Sequence, residues 1–148
     1  MTPRRERPQH AMNPSRTLDE HDVAACLAGA TAHARQQQWK LSIAVADAGG
    51  HLLGFVRQDG ASPLSAQIAL AKAHTAALSR RETRFFEELL AAGRSGFLSV
   101  SGMSLLEGGI PIVLGGECVG GIGVSGATSP QDAEAATSGL AALLERQR

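Results

Sequence analysis

The first regular alternation of apolar and polar positions begins near residue 18. Four apolar side chains recur at the three- and four-residue spacing of one helix face: Val23, Leu27, Ala30 and Ala34. This spacing predicts an amphipathic helix over residues 18–38. Thr17 and Glu20 precede it with capping-box spacing, because the Thr17 hydroxyl can accept a hydrogen bond from a free helix amide while Glu20 reaches back.

Short β-rich runs then occur in pairs, and a glycine-containing turn joins the members of each pair. The predicted strands are residues 41–46 with 52–56, and residues 110–114 with 117–125. Each pair therefore predicts a hairpin of two antiparallel strands. Pro111 has no amide donor, which suits an edge strand or the start of a strand.

Three further helices are predicted between and after the hairpins. Ser62 with Pro63, and later Ser129 with Pro130, combine an N-cap residue with a proline in the first helical turn. After the first of these pairs, a clean apolar stripe continues to about residue 79: Leu64, Ile68, Ala71, Thr75 and Leu78. A second amphipathic segment covers 82–92 and is followed by a loop over 105–109. The last helix has four side chains on its inward face: Ala133, Ala136, Leu140 and Leu143.

The order of these elements is α, β-hairpin, two helices, β-hairpin, α. It predicts one α+β domain over residues 17–148, with an antiparallel sheet flanked by helices. Residues 1–16 contain three prolines and four arginines against one glutamate, a composition that cannot form a core. We therefore expect them to be a flexible tail.

Composition narrows the class of protein. The chain has 148 residues, enough for one domain with a real core. Its 14 basic and 14 acidic residues give no net charge, and aromatic residues are 3%, which argues against nucleic-acid binding. No apolar run is long enough to span a membrane, and the N-terminus lacks the apolar segment of a secretory signal. We therefore expect a cytoplasmic protein in which Cys26 and Cys118 are reduced thiols, although a single disulfide between them is the alternative.

Several familiar chemical motifs are excluded by their context. Residues 121–126 match the glycine pattern G-x-G-x-x-G, but the first two glycines lie inside a predicted strand and only 22 residues follow Gly126. We interpret this string as a strand whose glycines leave the backbone without side chains, so that a partner chain or a ligand can approach it closely. The serines form no nucleophile elbow, and the histidines and cysteines have no metal-ligand spacing, so we expect no metal site.

Three side chains remain as candidates for chemistry. His51 follows the first hairpin turn and His74 lies on the second helix, and either could supply a haem ligand or a general base. The alternative is that both are surface histidines. Lys72 flanks the apolar stripe, where it could bind a carboxylate or act as a nucleophile with a lowered pKa. The structural alternative is a lysine that snorkels to solvent.

Five strings in order, spread over about residues 17–146, resemble the GlcG/HbpS-like proteins, known as the haem-degrading domain family. They are VADAGGHLL at 45–53, RQDGA at 57–61, IALAKAHTA at 68–76, GGIPI at 108–112, and VGGIGVSG at 119–126 followed by Gln131 and Asp132. The resemblance implies a profilin- or PAS-like α+β fold and a homo-oligomer. It also implies haem as a possible ligand, since some members bind it.

The resemblance also implies a set of ligand-binding positions: Asp47, Lys72, Thr75, Gly108, Gly109, Pro111, Gly126 and Asp132. The acidic residue expected in the family beside Asp132 is Ala133 here. These positions are consistent with one cleft, in which the glycine loop and the N-terminus of the last helix offer amides and a positive dipole end to an anion. Alternatively, the glycines only permit tight turns and close subunit packing.

Taken together, the sequence predicts a protein that binds a small ligand, either haem or another anionic organic molecule. The alternatives are an enzyme that acts on a small carboxylated metabolite, with Lys72, His51 and His74 as acid–base candidates, and an accessory protein of a partner complex. We also expect a homo-oligomer, because few large apolar side chains are available to complete the core while Ala- and Gly-rich faces allow close packing.

Overall fold

A computed structural model describes residues 16–148, so the predicted tail lies outside the described residues except for its last position. The elements of the described part are α1 Glu20–Gln37, β1 Ser42–Asp47, β2 Leu52–Arg57, α2 Pro63–Ser79, α3 Thr83–Ala91, a 3-10 turn Gly96–Ser99, β3 Gly109–Leu114, β4 Glu117–Ser125 and α4 Ser129–Arg146. Apart from the 3-10 turn, which was not expected, these elements match the predicted order.

The strands of residues 16–148 form a four-stranded antiparallel sheet in the order β2-β1-β4-β3. Each predicted hairpin supplies two neighbouring strands, and the pairing of β1 with β4 joins the two hairpins. Pro111 lies on β3, an edge strand, as its missing amide donor predicts. The predicted α+β domain with helices flanking an antiparallel sheet is therefore confirmed.

One face of the sheet carries the main apolar core beneath α1 and α4. Alternate residues of the central strands face these helices, as the two-residue period of a strand requires. The strand side chains buried there include Ile43, Val45, Ile112, Ile122 and Val124. From the helices come Val23, Cys26, Ala30, Ala34, Ala135, Ala136 and Leu143. Most of the inward positions predicted for α1 are thus confirmed.

The other face of the sheet is covered by α2 through a thin layer of small side chains. This layer consists of Ala44, Ala46, Ala69, Ala73 and Ala77. At Gly121 a Cβ atom would lie 2.5 Å from the carbonyl oxygen of Ala73, and at Gly123 it would clash with the α2 backbone at Ala69 and Ala73. We expected a partner chain or a ligand to approach these glycines, but helix α2 of the same chain occupies that space.

The apolar stripe predicted for α2 does not face the sheet. Leu64 and Leu78 are 62% and 53% exposed, whereas the alanines and Lys72 occupy the inner face. The reason lies in the glycine strand opposite, because leucines on the inner face would hold the helix away from it. Leu64 and Leu78 instead lie on the exposed side of α2, whereas Thr75 of the same stripe is buried.

Two helix starts differ from the prediction in the residues that cap them. Helix α1 is capped by Asp19 with Asp22, not by Thr17 with Glu20, and the N-cap of α4 is Thr128 rather than Ser129. Asp22 also accepts hydrogen bonds from residues at the end of α4, and this long-range contact favours the observed start of α1. The predicted N-cap of α2, Ser62, is confirmed.

Both cysteines are free in the described part of the chain. Cys26 lies on the buried face of α1 in the main core, whereas the Cys118 thiol contacts Ala77 of α2 on the other face of the sheet, so the sheet separates them. Burial raises the pKa of the Cys26 thiol to about 12. Among residues 16–148, no helix has the length and apolar character needed to cross a membrane.

The glycine strand leads to a stability prediction. We expect Gly123→Ala to lower the free energy of unfolding by about 3 kcal/mol, because its Cβ would push α2 off the sheet. Gly96→Ala is the matched control, since nothing lies within 4 Å of the added atom, and it should change stability by less than about 0.5 kcal/mol. Urea unfolding measures both values, and equal stability of the two variants would contradict the close packing of α2.

Candidate functional site

A buried ion pair joins α2 to the start of α4. The Lys72 Nζ donates hydrogen bonds to the Val124 carbonyl at 2.7 Å and to Asp132 Oδ2 at 3.1 Å. The side chains of Lys72 and Asp132 are only 1% and 4% exposed. Asp132 Oδ1 accepts a hydrogen bond from the Ala127 amide at 2.9 Å. The pair therefore links α2, β4 and the first turn of α4.

Burial dominates the electrostatics of this pair. It lowers the pKa of the Lys72 ammonium, and the neighbouring Asp132 carboxylate opposes this shift. It also raises the pKa of Asp132, against the effects of Lys72 and the Ala127 amide. The two pKa values are thus drawn towards each other, because each charged form has lost its contact with water.

The backbone at Gly108 closes over the pair. Gly108 has φ +129°, and a Cβ there would lie 2.6 Å from the Lys72 Nζ. The next amide, of Gly109, donates to Thr83 Oγ1 at 2.8 Å. The alternative that Lys72 snorkels to solvent is therefore wrong, since its ammonium is enclosed by protein.

A cavity of about 230 Å³ lies over Gly108 and Gly109, at the start of α4. Its charged lining side chains are Glu82, Arg84, Glu107 and Glu134. We expected this region to attract an anion, but its lining carries more negative than positive charge, and Arg84 is already paired with Glu88 at 2.9 Å. Asp132 provides the negative charge at the N-terminus of α4, so the chain itself supplies the anion that the helix dipole favours.

Asp47 organises the turn between β1 and β2. Its Oδ1 accepts hydrogen bonds from the amides of Gly49 and His51, both at 2.9 Å, and contacts His51 Nδ1 at 3.2 Å. The backbone donors, with that of His51 first, lower the pKa of Asp47. The His51 ring is 82% exposed, so it lies on the surface of this turn.

His74 contacts the same turn from α2. Its Nδ1 lies 3.0 Å from the Gly50 carbonyl oxygen, which can only accept a hydrogen bond, so Nδ1 carries the proton. In the neutral form of such an imidazole the other nitrogen, Nε2, has the free lone pair, and Nε2 of His74 has no hydrogen-bond partner among residues 16–148. Gly50 has φ +80°, and a Cβ there would lie 2.6 Å from the His74 ring, so glycine is required to seat the imidazole.

Three apolar cavities follow the outer surface of α2, and we call them together the α2 trough. His74 lines two of them, of about 320 and 300 Å³. The third, of about 630 Å³, shares Ala71 with one of these cavities and Met103 with the other. Apolar side chains dominate the lining: Leu52, Ile68, Leu70, Leu78, Phe86, Leu90, Phe97, Leu98, Val100, Met103, Leu105 and Leu106.

The segment between α3 and β3 forms the outer wall of the trough, and Thr75 ties it to α2. The Thr75 hydroxyl accepts a hydrogen bond from the Ser104 amide at 2.9 Å and donates to the Ala71 carbonyl at 2.8 Å. Sequence reasoning missed Phe97 and Met103 in this wall. The available signal was the run of large apolar residues in a segment without helical or strand periodicity.

The candidate residues thus divide between two places instead of lining one cleft. Lys72, Gly108, Gly109 and Asp132 meet at the buried pair, whereas Asp47, His51 and His74 meet at the β1–β2 turn. Thr75 lies between them on α2. Two others lie elsewhere: Pro111 pairs with Gly121 in the sheet, and Gly126 is next to Lys40 and Leu41. Residues 16–148 contain no cluster of three or more His, Cys, Asp or Glu suited to a metal ion.

The structure is a small α+β domain in which helix α2 borders apolar cavities that His74 helps to line. Residues 18–141 match the family model described as "Haem degrading protein HbpS-like". The chain therefore belongs to the HbpS-like family.

Comparison with individual proteins gives the same family. Protein GlcG of Escherichia coli is 44% identical over 108 residues, which cover 73% of this chain and 81% of GlcG. The crystal structure of HbpS matches with a TM-score of 0.81 and 31% identity, covering 88% of this chain and 93% of that one. The crystal structure of a PduOC–haem complex matches with a TM-score of 0.81 and 27% identity, covering 86% and 95%.

The buried pair leads to a prediction about coupling. We expect Lys72→Met to lower the free energy of unfolding by about 3 kcal/mol, because it leaves the Asp132 carboxylate buried without its partner. Adding Asp132→Asn, which keeps an oxygen acceptor for the Ala127 amide, should restore part of that loss. A double-mutant cycle in urea measures this coupling, and simple addition of the two single losses would show that the pair does not act as a unit.

Proposed function

We propose that the protein binds a small organic ligand in the α2 trough, and that this ligand is haem or another flat apolar molecule with carboxylate groups. The observation that carries the proposal is the His74 ring. Its Nδ1 lies 3.0 Å from the Gly50 carbonyl oxygen, which leaves Nε2 as the ring nitrogen available to a ligand, and His74 lines two apolar cavities. Similarity to a PduOC–haem complex and membership of the HbpS-like family support haem as the ligand.

The residues of the trough fit haem in two respects. A histidine whose other ring nitrogen donates to a backbone carbonyl is the usual form of a metal-ligating imidazole. Most of the surrounding side chains are apolar, as a porphyrin requires, and Glu87 also lines the cavity of about 630 Å³. Two arginines are candidates for the carboxylates. Arg94 lines a small cavity with Phe97 and Val100, and the Arg81 guanidinium lies 4.3 Å from the Phe85 ring centroid.

In this proposal each residue has a distinct task. Haem would supply an iron that takes a nitrogen ligand and can change its oxidation state. His74 would hold the iron through Nε2, the Gly50 carbonyl orients the imidazole, and the apolar walls would exclude water. Arg94 and Arg81 are the candidate partners of the carboxylates, because guanidinium groups suit carboxylate recognition.

The alternative is an enzyme that acts on a small carboxylated metabolite, with Lys72 and His51 or His74 as acid–base candidates. The enclosure of Lys72 behind Gly108 favours a structural task for this side chain. An enzymatic activity, an accessory role in a partner complex and a cytoplasmic location all stay predictions.

A haemin titration followed by absorbance tests the proposal. We expect the parent protein to give a saturable Soret shift at one equivalent per chain. His74→Ala should weaken binding about tenfold or more, because the iron loses its nitrogen ligand. His51→Ala is the matched control, since this exposed ring lies outside the lining of the α2 trough.

Two results would contradict this assignment. A weak, non-saturating change in the parent and both variants would remove haem as the ligand. Equal, saturable binding by the parent and His74→Ala would place the haem elsewhere. If haem fails, a thermal-shift screen of apolar carboxylates tests the broader proposal, because a ligand of the folded state raises the melting temperature.

A further inference from the structure

The peptide group between Gly50 and His51 connects Asp47 to His74. Its N–H end donates a hydrogen bond to Asp47 Oδ1 at 2.9 Å, and its carbonyl oxygen lies 3.0 Å from His74 Nδ1. A trans peptide is planar, and its N–H and C=O bonds point in opposite directions, so a partner that holds one end also aims the other. One carboxylate and one imidazole are thus joined through a single peptide group.

We infer that Asp47 is a positioning residue for the His74 imidazole, and that it acts through the Gly50–His51 peptide without touching the ligand. That this imidazole binds the ligand rests on the proposed function. That Asp47 sets the orientation and the tautomer of the ring does not, and this part can be tested in the ligand-free protein.

Asp47 holds the turn by its backbone as well as by its side chain. Its Oδ1 also accepts a hydrogen bond from the Gly49 amide at 2.9 Å. The Asp47 amide donates to the His51 carbonyl at 2.9 Å, and the Asp47 carbonyl accepts from the Gly50 amide at 3.0 Å. A rotation of the Gly50–His51 peptide would therefore break the contact between the His51 amide and the Asp47 side chain.

Gly50 is the point at which this turn meets α2. It has φ +80°, and a Cβ there would lie 2.6 Å from His74 Nδ1 and 3.2 Å from Leu78 Cγ. The ring therefore packs directly against the turn backbone. Since a hydrogen bond weakens steeply as its angle departs from linearity, a tilt of the peptide would release Nδ1.

The charge of Asp47 acts in the same direction as the geometry. Backbone donors, with the His51 amide first, lower the pKa of Asp47, so its side chain is ionised at neutral pH. A carboxylate that accepts the N–H end polarises the peptide and makes the Gly50 carbonyl a better acceptor. The proton is then held at Nδ1 of His74 and the free lone pair is at Nε2. Metal-ligating histidines are commonly oriented by a carboxylate or a backbone carbonyl, and here the two are coupled in series.

Asp47 itself lies apart from the α2 trough. None of the three trough cavities has Asp47 in its lining, whereas His74 lines two of them. The family resemblance places Asp47 among the ligand-binding positions. The contacts of the turn account for that placement by an indirect route, through the orientation of His74.

Nitrogen NMR of the ligand-free full chain tests the inference, because the two tautomers of a neutral histidine ring give different Nδ1 and Nε2 shifts. At about pH 8, where histidine is ordinarily neutral, we expect His74 of the parent in the Nδ1–H form. Asp47→Ala removes the side-chain acceptor and should give a mixture of both tautomers. Asp47→Asn keeps an oxygen acceptor and should keep the parent form. His74→Ala identifies the signals of this ring.

Haemin titration of the same variants measures the consequence for binding. Asp47→Ala should weaken haemin binding about tenfold, the usual order for the loss of a residue that orients a ligating histidine. His51→Ala is the matched control, because it removes the ring contact to Asp47 Oδ1 but keeps the backbone amide. Asp59→Ala removes another exposed aspartate, in the turn after β2. Both controls should keep the tautomer and the affinity of the parent.

Three results would overturn the inference: an Nε2–H ring in the parent, an unchanged tautomer in Asp47→Ala, or a loss of the Nδ1–H form in Asp47→Asn or His51→Ala as complete as in Asp47→Ala. The parent spectrum is decisive even if Asp47→Ala does not fold, which circular dichroism establishes. A parent that does not bind haemin, or a changed tautomer with unchanged haemin affinity, would count against the proposed function and leave the inference about Asp47 to the tautomer result.

Discussion

The close contact between α2 and the glycine strand β4 is the constraint on which the rest of the structure depends. At Gly121 and Gly123 there is no room for even a methyl group between strand and helix. The inner face of α2 can therefore hold alanines but not leucines, and its larger apolar side chains must point outward. One packing requirement thus creates both a thin inner layer and an apolar outer surface.

The same contact explains why a lysine is buried in this small domain. Because α2 lies so close to the sheet, the Lys72 side chain reaches across to the Val124 carbonyl and to Asp132 at the start of α4. Gly108 lets the backbone close over the ammonium. The attraction between the two charges adds little net stability, because both have lost their contact with water. The pair nevertheless joins three elements, and removal of either partner would lower the free energy of unfolding by leaving a buried charge unpaired.

The outer surface of α2 carries the proposed ligand-binding site. His74 reaches back to the Gly50 carbonyl, and this contact sets its tautomer beside the trough. The wall formed by the segment after α3 is anchored at Thr75, so the cavities have defined sides.

The order of elements, both hairpins and the family could be predicted from the sequence, because they follow from local periodicity, turn chemistry and short strings. The sequence also singled out His74, Lys72 and Asp132. It did not determine which face of α2 lies inward, since both leucines and alanines recur at helical spacing and only the glycine strand opposite distinguishes them. Tertiary structure alone decided that Lys72 is enclosed and that the candidate residues divide between two places, because distances between elements far apart in the chain are set by packing.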